Sequence, residues 1–123
     1  MEWLVDASGC SADRLKDVAA IVAILERVID DLDLRVVGQA AVHQFPDPGG
    51  VTALYLLTES HLACHTYPEL GVATFNLYCC RARRAFAWKD ELAARLGAAR
   101  VEVRSQTRGI GNASQETRDG AAE

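Results

Sequence analysis

The chain has 123 residues, of which 50% are hydrophobic and 24% are charged, and its formal net charge is −4. This composition is typical of one globular domain, so disorder over most of the chain is excluded. No apolar run reaches the ~18 residues that a membrane span needs, and the net acidity argues against nucleic acid as the main partner. The acidic N-terminus does not resemble a signal peptide. We therefore expect a cytoplasmic protein whose four cysteines are reduced thiols.

Apolar periodicity predicts four elements in the first half of the chain. A short strand over Trp3-Leu4-Val5 precedes a helix from Ser11 to Leu32, in which apolar residues recur every three or four positions. Two strands follow, from Arg35 to Phe45 and from Val51 to Leu57. A cluster of proline and glycine separates these two strands, so they should pair as an antiparallel hairpin.

Three more elements are predicted in the second half. Alternation from Gly71 to Cys80 indicates a strand, a helix runs from Ala87 to Leu96, and a last strand follows at Val101 to Val103. The complete order predicts an α+β fold, with a largely antiparallel sheet and two helices packed on one face. We expect one domain over residues 1–109. The polar composition of residues 110–123 predicts a flexible C-terminal tail.

The densest group of reactive side chains lies between two predicted strands, over residues 58–71. The residues alone leave three interpretations open. In the first, Ser60 with His61 or His65 forms the nucleophile and base of a hydrolase, although no Gly-x-Ser-x-Gly elbow frames the serine. In the second, both histidines bind zinc with Cys64 and a later cysteine, although the spacing matches no usual zinc motif. The third is a polar loop whose histidines only make hydrogen bonds.

A longer pattern changes the balance among these interpretations. Glu59-Ser60-His61, then His65-Thr66-Tyr67-Pro68-Glu69, and then a strand ending in Cys80 resemble the signature of the prokaryotic S-adenosylmethionine decarboxylases. The similarity covers roughly residues 3–109 and includes His43-Gln44-Phe45 before the proline and glycine turn. It implies the sandwich fold of that family and a self-processing, pyruvoyl-dependent decarboxylase that uses no metal.

The resemblance implies how such an enzyme makes its own cofactor. The Ser60 hydroxyl attacks the Glu59 carbonyl, and elimination from the resulting ester splits the chain into residues 1–59 and 60–123, which stay associated. Ser60 becomes a pyruvoyl group, whose ketone forms a Schiff base with the substrate and accepts the electrons released with carbon dioxide. The family further implies S-adenosylmethionine as the substrate, spermidine synthesis as the pathway, and a dimer of processed protomers.

Residue roles follow from the same resemblance. His65 matches the base that removes the α-proton during processing, a task that suits a histidine because histidine titrates near neutrality. Cys80 matches the acid that returns a proton to the substrate carbon. Thr52 stands where the family has a serine that assists processing. Three candidates for substrate contact offer two aromatic faces for a sulfonium or adenine and one acid for charge or ribose: Phe45, Tyr67 and Glu69.

Four positions depart from the usual family pattern, which has tryptophan, an aromatic residue, aspartate and glycine where this chain has Tyr67, Leu70, Asn76 and Arg81. Most of these positions belong around the substrate, so self-cleavage is better supported than the substrate is. One alternative is the same self-processing chemistry acting on ornithine or arginine. Another is an unprocessed paralogue that only regulates an active enzyme. The retained Ser60 and its matching partners speak against the paralogue.

Overall fold

The computed structural model describes residues 1–80 and 84–109. These ranges hold six strands and three helices. In chain order the elements are β1 (Glu2–Ser8), α1 (Ala12–Leu15), α2 (Val18–Asp31), β2 (Ala41–Gln44), β3 (Val51–Leu57), β4 (Ser60–Tyr67), β5 (Val72–Cys79), α3 (Trp88–Leu96) and β6 (Arg100–Gln106). The tail predicted over residues 110–123 lies outside the described residues.

All six strands form a single sheet in the order β2-β3-β4-β5-β1-β6. Every neighbouring pair is antiparallel, and β2 pairs with β3 as the predicted hairpin. The N-terminal strand β1 inserts between β5 and the edge strand β6, so residues near both ends of the described chain meet at one edge of the sheet. This arrangement confirms the predicted α+β class with an antiparallel sheet.

One face of the sheet carries the hydrophobic core. Alternate residues of β3 are buried, beginning with Val51, and Leu62 continues this buried face in β4. The helix α2 presents Ile21 and Leu25, which are fully buried, and burial of such side chains stabilises a fold by about 1.5–3 kcal/mol each. All three helices contact the sheet, α1 at β4, α2 at β3 and α3 at β6. Within the described ranges, no helix combines the length and apolar character needed to cross a membrane.

The single helix predicted at residues 11–32 is wrong, because the chain forms two helices there. Ser11 caps α1 as its side chain suggests. The Leu15 carbonyl, however, accepts a hydrogen bond from the buried Thr66 hydroxyl at 2.9 Å. The Asp17 carboxylate then accepts the Ala20 backbone N–H at 3.2 Å and begins α2. Three helices therefore stand where two were predicted.

The second predicted strand is much shorter than the range from Arg35 to Phe45. Only β2 remains, together with an isolated bridge between Val36 and Leu57. The interruption lies at Gly38, which adopts a φ of +72° and so leaves the extended conformation that a strand requires. The prediction did not account for this turn.

The polar segment at residues 58–71 contains a complete strand, β4, which the sequence analysis placed between strands. Leu62, Cys64 and Thr66 are buried on the core side and alternate with more exposed residues. β4 is hydrogen-bonded to β3 on one side and to β5 on the other. The segment with the most reactive side chains therefore lies in the interior of the sheet, with a hydrogen-bonded strand on each side.

Candidate active site

The predicted site residues form two groups, one toward each end of β4. Ser60 pairs in register with Cys79 of β5, whereas His65 pairs with Thr52 of β3. At ~3.3 Å per strand residue, the five steps from Ser60 to His65 correspond to roughly 16 Å. A single chain therefore keeps the predicted pyruvoyl precursor apart from the predicted processing base.

The first group surrounds the peptide bond between Glu59 and Ser60, where β3 turns into β4. The backbone N–H of Cys80 donates a hydrogen bond to the Glu59 carbonyl oxygen at 2.9 Å. Ser60 has a φ of 135°, a value that residues with a side chain rarely adopt. The backbone is thus strained beside a carbonyl that a fixed donor polarises.

A hydrogen-bonded chain, which the sequence analysis missed, leads away from Ser60. Its hydroxyl oxygen lies 3.3 Å from Nδ1 of His61, and Nε2 of His61 lies 2.8 Å from Oδ1 of Asn76. Nδ2 of Asn76 donates to Oε2 of Glu2 at 2.8 Å. The chain crosses β4, β5 and β1, so it joins residues that no local sequence spacing relates.

Glu2 is buried at the far end of this chain. Its Oε1 accepts hydrogen bonds from Nε2 of Gln106 at 2.8 Å and from the Arg108 guanidinium at 3.1 Å. The hydrogen bonds from Gln106 and Asn76, aided by Arg108, hold the pKa of Glu2 below its ordinary value despite burial. Glu2 is therefore a carboxylate at neutral pH, and a carboxylate only accepts hydrogen bonds.

The four cysteines are free thiols and differ in exposure. Three are buried, and desolvation raises the pKa of each of them: Cys10, Cys64 and Cys79. Cys80 is exposed at the end of β5, beside the Glu59 carbonyl. Burial of Cys64 on the core side separates it from the exposed side of β4, and the described ranges hold no group of three or more potential metal ligands. The zinc interpretation has no support in this geometry.

The second group lies around His65. Oγ1 of Thr52 and Nδ1 of His65 share a short hydrogen bond across β3 and β4. The rings of Phe45 and Tyr67 flank the imidazole, with centroid distances of 6.0 and 4.5 Å. An open cavity of about 380 Å³ is lined by Phe45, His65, Tyr67 and Glu69. The structure thus brings the three candidates for substrate contact to one cavity beside His65.

The sheet face opposite the core separates the two groups and is partly apolar. Leu54 is 52% exposed and Leu56 is 60% exposed on β3. A shallow cavity of about 340 Å³ lies on this face near Leu54, Ala63 and Arg104. A cluster of exposed apolar side chains beside polar ones is typical of a surface that contacts another protein.

Comparison with known proteins identifies the family. The model of the S-adenosylmethionine decarboxylase family matches residues 1–109. The S-adenosylmethionine decarboxylase proenzyme of Aquifex aeolicus (strain VF5) is 33% identical over 108 residues, covering 87% of this chain and 78% of the relative. That of Geobacillus sp. (strain WCH70) is 33% identical over 105 residues, covering 83% of this chain and 81% of the relative.

A solved structure agrees with these matches. The crystal structure of the adenosylmethionine decarboxylase from Aquifex aeolicus VF5 superposes with a TM-score of 0.73 at 31% identity, over 89% of each chain. The resemblance noted from the Glu59-Ser60-His61 motif is therefore confirmed over nearly the whole described chain. The chain belongs to the S-adenosylmethionine decarboxylase family of enzymes.

Proposed function

We propose that this protein is a pyruvoyl-dependent decarboxylase of S-adenosylmethionine that supplies the aminopropyl donor for spermidine synthesis. The observation that carries the proposal is the backbone geometry at the peptide bond between Glu59 and Ser60. Its carbonyl accepts the Cys80 N–H at 2.9 Å, and the φ of Ser60 is strained at 135°. Family membership supports the choice of substrate.

Self-processing begins at this strained bond. Attack of the Ser60 hydroxyl on the Glu59 carbonyl carbon replaces the amide by an ester, and the Cys80 N–H is placed to stabilise negative charge on the carbonyl oxygen. Elimination then leaves a carboxylate at the end of residues 1–59 and dehydroalanine at the start of residues 60–123. Water converts the dehydroalanine to a ketone and ammonia, so no oxidant is needed.

The chain's own side chains would serve the decarboxylation around position 60. The pyruvoyl group supplies a carbonyl that accepts the electrons released with carbon dioxide. The exposed Cys80 holds a proton for the substrate carbon. Phe45 and Tyr67 offer ring faces to a sulfonium cation or an adenine, and Glu69 offers a carboxylate to the charge or the ribose.

A complete site requires two chains, because the cavity at His65 lies roughly 16 Å along β4 from Ser60. A two-fold axis between two open sheet faces sets the Ser60 end of one chain against the His65 end of its partner, and symmetry makes two equal sites. The exposed Leu54 and Leu56 supply apolar surface for this contact. His65 and Thr52 would then serve the Ser60 of the other chain.

Release of carbon dioxide tests the proposed activity. Purified protein is given S-adenosylmethionine, ornithine or arginine at equal concentration, with Ser60→Ala as the inactive variant and Ser105→Ala, an exposed serine of β6, as the matched control. We expect release from S-adenosylmethionine by the wild type and by Ser105→Ala, and none by Ser60→Ala. Preferential release from ornithine or arginine would show that this amino acid, and not S-adenosylmethionine, is the substrate. No release from any of the three would contradict the decarboxylase.

A further inference from the structure

We propose that His61 is the base that removes the Ser60 hydroxyl proton in the first step of self-processing, and that Asn76 and Glu2 position it. The inference rests on the proposed function and deepens it. It assigns separate histidines to separate steps: His61 acts in ester formation, and His65 acts in the later removal of the α-proton.

The hydrogen-bonded chain determines which nitrogen of His61 carries the hydrogen. Glu2 only accepts, so the atom of Asn76 that faces it at 2.8 Å is the amide nitrogen. The amide oxygen of Asn76 then faces Nε2 of His61 at 2.8 Å and accepts its hydrogen. Neutral His61 therefore keeps its lone pair on Nδ1, the atom that lies 3.3 Å from the Ser60 hydroxyl oxygen.

This tautomer is the one required for general-base catalysis. The Ser60 proton moves to Nδ1 of His61 as the new bond forms between the hydroxyl oxygen and the Glu59 carbonyl carbon. The negative charge develops on the oxygen that accepts the Cys80 N–H. As the carbon–nitrogen bond breaks, the imidazolium returns the proton to the departing Ser60 nitrogen. One ester and one free amine result, and His61 is neutral again.

The placement of the two histidines excludes His65 of the same chain from this step. His65 lies roughly 16 Å along the strand from Ser60, and its Nδ1 is engaged by Thr52. His61 alone of the three histidines is within hydrogen-bond reach of the Ser60 hydroxyl. During the reaction, the acceptor oxygen of Asn76 stabilises the charged ring, and the Glu2 carboxylate orients the amide, as in other triads of nucleophile, base and orienting group.

Hydroxylamine isolates the first step, because it cleaves an ester far faster than an ordinary amide. The parent variant is His65→Ala, which should stop after the ester has formed. Hydroxylamine should then cut this variant between Glu59 and Ser60. The 1–59 fragment is identified by its mass, and its amount over time gives the rate of cutting. The chain contains no Asn-Gly step, which hydroxylamine would otherwise attack.

Added changes at His61 test its role. In the His65→Ala parent, His61→Ala and His61→Gln should each slow the cutting by about 100-fold or more. The glutamine keeps a donor for Asn76, so a retained fold with a slow rate identifies loss of the base. Imidazole in solution should restore part of the rate of His61→Ala. The matched control is His43→Ala on the exposed strand β2, which should be cut at the parent's rate.

A second measurement follows freshly synthesised chains that retain His65, without hydroxylamine. Their spontaneous splitting should slow by a similar factor when His61 is replaced. Equal rates with and without His61 in both measurements would overturn this inference and leave the proposed function standing. If chains with both histidines never split, and His65→Ala is never cut by hydroxylamine, the proposed function fails and the inference falls with it.

Discussion

At the scale of single residues, Ser60 shows what motif similarity finds and what it misses. The motif singles out Ser60, His65 and Cys80, since their types and spacing together match a family signature. It gives His61 no separate role. The partners that orient this imidazole are Asn76, which is 15 residues away, and then Glu2, which is 74 residues from Asn76. Only the fold brings these three residues together, so the sequence alone does not reveal the hydrogen bonds that join them.

Glu2 gives a pH-dependent test of this hydrogen-bonded chain. Its pKa is lowered in the folded protein, so below its ordinary value of 4.5 the unfolded chain binds more protons than the folded one. The stability that Glu2 contributes is therefore present above that pH and is lost as the pH falls through the lowered pKa. Glu2→Gln should lower the free energy of unfolding by about 1–2 kcal/mol at pH 7 and by much less at pH 3.

Denaturant unfolding at the two pH values measures this difference. The parent protein and each variant compared with it should carry Ser60→Ala, so that every chain stays intact and unfolding is reversible. Glu102→Gln is the matched control, because Glu102 is an exposed carboxylate of β6 whose ion pair with Arg100 contributes little. An equal loss of stability from Glu2→Gln at pH 7 and pH 3 would show that the carboxylate charge of Glu2 does not matter.

At the scale of elements, β4 shows why a strand in the candidate active site is hard to predict. Its core-facing residues include only one large aliphatic side chain, Leu62, beside Cys64 and Thr66. Thr66 tolerates burial because its hydroxyl donates to the Leu15 carbonyl and accepts the Val51 N–H, each at 2.9 Å. A hydropathy pattern registers such a residue as polar, so the alternation of period two is hidden.

The hydropathy pattern also fails at α1 and α2, where it predicts one continuous helix and the structure has two. Leu15 and Val18 are three positions apart, so the apolar period continues where the structure starts a new helix at Asp17. The end of α3 was predictable, because Gly97 adopts a φ of +68° and glycine is the residue that favours this conformation. A local signal thus places the end of α3, whereas the end of α1 coincides with a contact from β4 at the Leu15 carbonyl.

At the scale of the whole molecule, the separation of Ser60 from His65 along β4 is the reason for proposing that two chains share one site. Two inactive variants test this sharing. Ser60→Ala retains His65, the proposed base for removal of the α-proton, but lacks the serine at the cleavage site. His65→Ala retains that serine but lacks the base for removal of the α-proton. Neither should split when it is expressed alone. Expressed together, they should split the His65→Ala chain only, since its Ser60 then faces an intact His65 in the partner.

Mass analysis of the mixture identifies the chain that is cut. Mixed dimers form in a fraction of the population, so a corresponding fraction of the His65→Ala chains should split. The control is the expression of two chains that both carry His65→Ala, and these chains should remain whole. If the two different variants together leave every chain whole, His65 does not act on the serine of a second chain.

The measurement that tests the central claim most directly is the intact mass of the purified wild-type protein under denaturing conditions. Self-processing predicts two chains, residues 1–59 and residues 60–123. The second should be lighter by one ammonia than the same peptide with an N-terminal serine, because Ser60 has become a pyruvoyl group. A single chain with the 13.3 kDa mass of all 123 residues would contradict the account.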